Sequence, residues 1–314
     1  MVDALTRRGF IGAAGAALAL ARPSQAQEAR ASVPPIVHLD QLTSREVGER
    51  MKTSDVVFIP HGPVSGHGPW TTLGVHAHGA EAVSVLLARK CGGFVHPTIT
   101  TAFAGATQLY PGTVPFSYEF HLQVLKAVAR SLHGQGFGRI FFVAYTNPED
   151  AAGLAAARDL FDLEGELPVA ALVATKGMAS ETIKKLLAEY EGSAGEAIID
   201  YAALRLLGKA RPIAEPELAK KGLKSGEDQN PEIREAIRIL RSRGTRGFRY
   251  DSEREHASHG TVGLSYKGQP DIELGLKILD ALADYHLPAV EALKEHREYL
   301  RAHPPKRIEP GVMK

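Results

Sequence analysis

The run Ile140-Phe141-Phe142-Val143-Ala144 contains no polar residue, which marks a strand covered on both faces, since a half-exposed strand would alternate apolar and polar side chains. It belongs to a series of short apolar runs and helical patterns: Val56 to Ile59, Ala77 to Arg89, Phe94 to Ile99, Tyr118 to His133, then Arg139 to Tyr145. That alternation is the rhythm of βαβ units and predicts an α/β fold with a mostly parallel sheet. Pro168 opens a further strand over Val169 to Val173, after a helix over Asp150 to Asp162, and Gly177-Met178 leads into a helix over Glu181 to Tyr190. From Ser193 to about Phe248 the pattern turns helical and polar and reads as an elaboration on the core. Asn230-Pro231 is a cap followed by proline in the first turn, and it starts an amphipathic helix that ends near Arg243-Gly244. The last long helix, about Pro270 to Ala302, is expected to break or bend at Pro288.

The 314-residue chain carries 37 basic and 36 acidic residues, so no net field draws it to nucleic acid or to anionic lipid. Its single cysteine, Cys91, excludes an intramolecular disulfide and a thiolate-rich metal site. Any metal chemistry must then rest on histidine and carboxylate. At the N-terminus, Arg7-Arg8-Gly9-Phe10 precedes an Ala/Gly-rich apolar run, Ile11 to Ala21, and then Ser24-Gln25-Ala26, a small-x-small cleavage pattern. This has the form of a twin-arginine export signal over residues 1–26, read by the Tat export machinery. The apolar run is short for a bilayer span, so no stable membrane anchor is expected. The mature protein would begin near Gln27 in a periplasmic or extracellular space, as a single domain over 27–314 with a helical insertion at about 193–248.

The chemistry collects after the first strand. Pro60-His61-Gly62-Pro63-Val64-Ser65-Gly66-His67-Gly68-Pro69, followed by His76-Ala77-His78, clusters imidazoles in a turn-rich loop beside a rigid base. Such a loop can present metal ligands; a surface loop that happens to be rich in histidine has the same letters. In open α/β sheets ligands gather beyond the carboxyl ends of the strands. The loops after Ile59, Ile99 and Tyr145 should therefore converge, bringing together Ser65, His67, His76 and His78, the segment Gly105 to Thr113, and Thr146-Asn147-Pro148-Glu149-Asp150.

Taken together, these segments resemble the creatininase (creatinine amidohydrolase) family, whose first loop reads roughly Pro-x-Gly-x-x-Glu-x-His-Gly-x-His-Leu-Pro-x-x-x-Asp. Pro60, Gly62, His67 and Gly68 match it, and the family's Pro-Gly-Thr stands intact as Pro111-Gly112-Thr113. The resemblance runs over about residues 54 to 160. It implies a three-layer α/β fold, a small-molecule substrate opened at a C–N bond, a homo-oligomer, and a site that in the family commonly holds two divalent ions. In the register of the family, the first-loop glutamate falls on Ser65, the histidine on His67 and the bridging aspartate on His76. In the third loop the histidine falls on Asn147, the glutamate variant on Glu149 and the final asparagine on Asp150.

Sorted by the ion each position serves in the family, His67, His76 and Glu149 form a His-His-carboxylate set, whereas Ser65 and Asn147 bind first-row metals poorly. A neutral imidazole at 76 cannot bridge two ions as a carboxylate does. The expectation is one divalent ion (zinc, manganese or iron) with an open position for water. Ser65, His78, Asn147, Asp150, Gly112 and Thr113 would then contact substrate or support the ligands, and Trp70 forms an aromatic wall over the substrate or merely covers the loop. Downstream, Glu255-His256-Ala257 resembles the family's His-Ala-Gly segment, which implies His256 as proton donor to the leaving nitrogen and Glu255 as its partner. A glycine-serine-rich hairpin with two solvated histidines explains the same letters. Three functions follow: a metal-dependent amidohydrolase, a metal-dependent lyase or isomerase on the same scaffold, and a binding protein that has lost the reaction.

Overall fold

A computed structural model of the chain describes residues 36–104, 107–108, 110–162, 167, 169–188, 196–214, 231–245 and 269–304. All elements named below lie in one unit that begins at Val37. Four strands, β1 (Val56–His61), β2 (Phe94–Val95), β3 (Arg139–Ala144) and β4 (Val169–Val173), form a parallel sheet in the order β2-β1-β3-β4. The expected strand over Phe94 to Ile99 is cut to two residues, with Ile99 returning only as an isolated bridge to His61. Pro97 lacks the N–H that a continued ladder would need.

Strand side chains alternate between faces, and the burial of this sheet follows that period of two. On one face Val56, Phe58, Phe141 and Val143 join a single apolar cluster with α2 (Val75–Cys91), α6 (Glu196–Leu206) and α8 (Ile272–Ala302). On the other, Val57, Ile59, Ile140 and Phe142 pack with Leu125, Ala129 and Leu132 of α3 (Tyr118–Gly134) and with Ala152, Ala156 and Leu160 of α4 (Asn147–Asp162). The arrangement is a helix–sheet–helix sandwich, and it explains why the β3 sequence has no polar position. The parallel register sets Phe58 beside Phe141, whose rings stack at 5.4 Å. Complete burial of a side chain of this size contributes about 2 kcal/mol.

Smaller helices complete the described chain: α1 (Ser44–Met51), α5 (Glu181–Ala188) and α7 (Pro231–Ser242). The segment from residue 193, expected to be a polar elaboration, instead contributes α6 to the core. Every residue from Ala197 to Leu204 is buried there, as a helix apolar on nearly all sides requires. Of the break or bend expected in the last helix, the break is absent. The helix continues through Pro288 without interruption from Ile272 to Ala302. Pro288 deprives the Asp284 carbonyl of its helical donor, but both residues are exposed, so water can replace the missing bond while His286 and Val290 keep the buried face intact.

Helix α2 carries the chain from β1 to β2 across one face, and α3 and α4 return across the other. The strand order therefore reverses between β1 and β3, and the loops that leave their carboxyl ends diverge around a crevice. Packing of α6 against α8 depends on Gly275 of α8. A Cβ at that position would lie 2.5 Å from the Ile198 carbonyl oxygen and 2.6 Å from the Ala202 Cβ. Gly275→Val should destabilise the protein by about 2 kcal/mol through overpacking. Urea unfolding checks this, and an unchanged midpoint would show that the contact between α6 and α8 yields freely.

Candidate metal centre

The β1–α2 loop is rigid before any ligand is considered. Ser65 N donates to the Leu73 carbonyl at 2.8 Å, Val114 N donates to the Val64 carbonyl at 3.0 Å, and Gly66 N donates to Thr113 Oγ1 at 2.9 Å. Gly112, beside Thr113, takes a positive φ of 83°, which few residues other than glycine adopt. Gly112 and Thr113 thus brace the histidine loop from outside.

That loop and the first turn of α2 bring His67 and His76 together. Their rings are 4.1 Å apart between centroids, and both side chains are 1% exposed. Behind His76 lies Tyr145, the residue after β3, at 5.7 Å between ring centroids. Tyr145 reaches this position over Gly79, where a Cβ would lie 2.5 Å from its ring. The carboxylate that meets the two imidazoles, among the described residues, is Glu196, the first residue of α6. His67 Nδ1 approaches Glu196 Oε2 at 3.2 Å and His76 Nε2 approaches Glu196 Oε1 at 3.7 Å. Burial alone would raise the Glu196 pKa, but the adjoining imidazoles outweigh it and hold the carboxyl well below its ordinary range.

The donor chemistry and the spacing both suit a divalent ion. Imidazole and carboxylate are ordinary ligands of zinc, manganese and iron. One donor atom from each of the three residues lies within 4.8 Å of the others. Ligands about 2.1 Å from a tetrahedral ion stand about 3.4 Å apart, close to the contacts of 3.2 and 3.7 Å that Glu196 makes. Ser65 Oγ lies 3.0 Å from His67 Nε2. With Nε2–H donated to that hydroxyl, the Nδ1 lone pair would face Glu196, the tautomer a metal ligand requires. Ser65, which the family resemblance sets at the first-ligand position, contacts His67 here.

The remaining sequence candidates fall as follows. His78 Nδ1 meets Asp200 Oδ1 at 3.1 Å, and its ring lines a crevice of about 420 Å³ with Val64, Gly74, Glu81 and Lys209. Trp70 is only 3% exposed and packs against Ala197, Tyr201 and Leu204, so it covers the loop. Asn147, Glu149 and Asp150 form the first turn of α4, and their side chains lie outside what the structure describes. Gly105, Glu255, His256 and the export segment also lie outside the described residues.

The sequence model of the Creatininase family, described as creatinine amidohydrolase, matches residues 40–191. The chain belongs to the creatininase family. Solved creatininases share its fold at low identity. A creatinine amidohydrolase (creatininase) crystal structure is 17% identical, covers 86% of this chain and 99% of its own, and superposes with a TM-score of 0.61. A creatininase described with Mn is 18% identical over 82% of this chain and 99% of its own, with a TM-score of 0.60. A mutant creatininase complexed with creatine is 19% identical over 86% of this chain and 100% of its own, with a TM-score of 0.59. No curated protein matches by sequence.

Glu196 stands just beyond the matched segment, and the sequence reading passed over it. No local signal marked it, because an acidic residue in the first turn of a helix is ordinary. Glu196→Gln keeps the volume and removes the charge. It should lower zinc affinity at least about tenfold, measured by competition with a chromophoric chelator, whereas unchanged affinity would remove Glu196 from the ligand set.

Proposed function

We propose that this chain is a metal-dependent amidohydrolase of the creatininase type that opens a C–N bond in a cyclic or linear amide with a single divalent ion. The observation that carries the reading is the convergence of His67, His76 and Glu196 at the reversal point of a creatininase-family sheet. A bound ion there would supply Lewis acidity, polarising the amide carbonyl and lowering the pKa of water. His67 and His76 hold two positions, fixed by Ser65 and by Tyr145, and Glu196 supplies the negative charge that binds a cation. His256, with Glu255, is the group proposed to protonate the departing nitrogen, on the strength of the family resemblance.

The choice of one ion rests on Ser65 and His76, which stand where the family has a carboxylate ligand and a bridging carboxylate. A further creatininase of similar fold is of Zn-Zn type; this chain's imidazole at 76 does not offer the shared oxygens such a pair uses. Creatine is bound in one neighbour, which favours a small polar amide-like substrate here and names none. Zinc, manganese and iron all suit the donors. Elemental analysis after reconstitution should give one ion per chain; two ions, or none, would overturn the mononuclear reading. Screened against cyclic amides and lactones, the loaded protein should yield products heavier by one water, while products of unchanged mass would replace hydrolysis by isomerisation.

Export through the twin-arginine route and assembly as a homo-oligomer belong to the same proposal. Export is supported by Arg7-Arg8, the apolar run from Ile11 to Ala21 and Ser24-Gln25-Ala26. No helix among the described residues is long and apolar enough to cross a membrane. Mass spectrometry of the mature protein should find its first residue near Gln27; an intact Met1 or Val2 would exclude cleavage.

A further inference from the structure

Helix α6 bears a second acidic residue on the face that bears Glu196. Asp200 is one turn further on, fully buried, and none of the expected ligand positions includes it. Its carboxylate accepts three bonds from the histidine segment: Thr72 N donates to Oδ2 at 2.6 Å, Thr72 Oγ1 donates to Oδ1 at 2.9 Å, and His78 Nδ1 meets Oδ1 at 3.1 Å. Two of these partners sit in the stretch between His67 and His76, and the third lies two residues beyond His76 in α2. Next to Asp200, Tyr201 donates its hydroxyl to the Trp70 carbonyl at 2.8 Å. A third link closes the far end, where Glu81 of α2 lies 3.1 Å from Lys209 Nζ, just past α6.

The links form a ladder between α2 with its loop and α6: His67 and His76 against Glu196, Thr72 and His78 against Asp200, Glu81 against Lys209. Only the first would bind an ion. Of the three carboxylates Asp200 is the most buried and has the most bonds, so its rung is the one best placed to set how far α6 stands from the loop and how it is rotated about its axis. Residues at i and i+4 share a helix face, so a rotation that frees Asp200 carries the Glu196 carboxylate away from the imidazoles.

We propose that Asp200 is a positioning residue of the metal centre, holding α6 through Thr72 and His78 so that Glu196 meets His67 and His76 at ligand distance. The inference rests on the reading of those three residues as an ion site. Asp200→Asn is nearly isosteric, yet its amide nitrogen cannot accept, so at least one of the three bonds is lost. Zinc affinity, measured by chelator competition, should fall about tenfold or more. The visible absorption spectrum of the cobalt(II)-loaded protein should change in band position or intensity, because ligand geometry has moved. Circular dichroism should remain that of the parent protein, which separates a displaced ligand from general unfolding.

If the parent protein binds neither zinc nor cobalt, the metal reading falls and takes this inference with it. If the parent binds both and Asp200→Asn binds them with the same affinity and the same cobalt spectrum, the positioning role alone is overturned. Should Asp200→Asn fail to fold, Thr72→Val removes one donor while leaving the carboxylate and the backbone bond in place. An altered cobalt spectrum in that variant supports the role, and an identical one overturns it.

Discussion

A carboxylate set against two buried imidazoles is the constraint around which this molecule is arranged. Removing an ionised carboxyl from water costs several kcal/mol unless positive charge or hydrogen-bond donors replace the solvent. At His67, His76 and Glu196 the replacement can come from a protonated imidazole or from a cation. Ser65 makes the second arrangement available when the ring nitrogens are followed individually. A hydroxyl 3.0 Å from His67 Nε2 can take the proton on that side, so the nitrogen facing Glu196 is available as a donor to an ion.

Everything nearby serves to keep those three groups close. The reversal of strand order between β1 and β3 opens the crevice, the bonds from Val114 and Thr113 fix the loop, and Tyr145 backs His76 over a glycine that leaves room for its ring. Helix α6 arrives from far along the chain, and its approach is set by packing on both sides. Gly275 admits it against α8, and Asp200 and Tyr201 bond it to the loop. A ligand on a helix so enclosed is placed more exactly than one on a free loop, because a shift of its carboxylate disturbs several buried contacts at once.

Much of this was legible in the residues. The apolar runs at Val56, Arg139 and Val169 became parallel strands, and the unrelieved apolarity of Ile140 to Ala144 correctly implied cover on both faces. His67 and His76 were legible as a pair because their separate positions in a recognisable loop pattern predicted convergence. Glu196 was not. No local pattern distinguishes a ligand at the start of a helix from an ordinary first-turn acidic residue, which the helix dipole favours in any case. Its partner histidines lie more than a hundred residues away, and only tertiary packing brings them together. The same limit hid Asp200, whose three donors all come from residues 72 and 78. Pro288 does not break α8, because both the proline and the carbonyl it leaves without a donor face water.

Comparison with the family pattern shows how a site can change its ligands and still keep chemistry within reach. In the register of the family resemblance, serine at 65 replaces a ligand carboxylate but bonds to His67, and histidine at 76 replaces a bridging carboxylate but supplies an imidazole. Each change taken alone would weaken a two-ion centre. In the proposed single-ion site they would combine with a carboxylate from α6 to give two imidazole donors and a single negative charge. Such a set leaves a bound divalent cation with net positive charge, which favours withdrawal of electrons from a carbonyl and acidification of water. The two-helix construction also gives the centre a mechanical dependence that a loop-borne site would lack. Its ligand distances follow the separation of α2 and α6, so residues that set this separation without reaching the ion, Asp200 foremost, bear on the chemistry as directly as the ligands do.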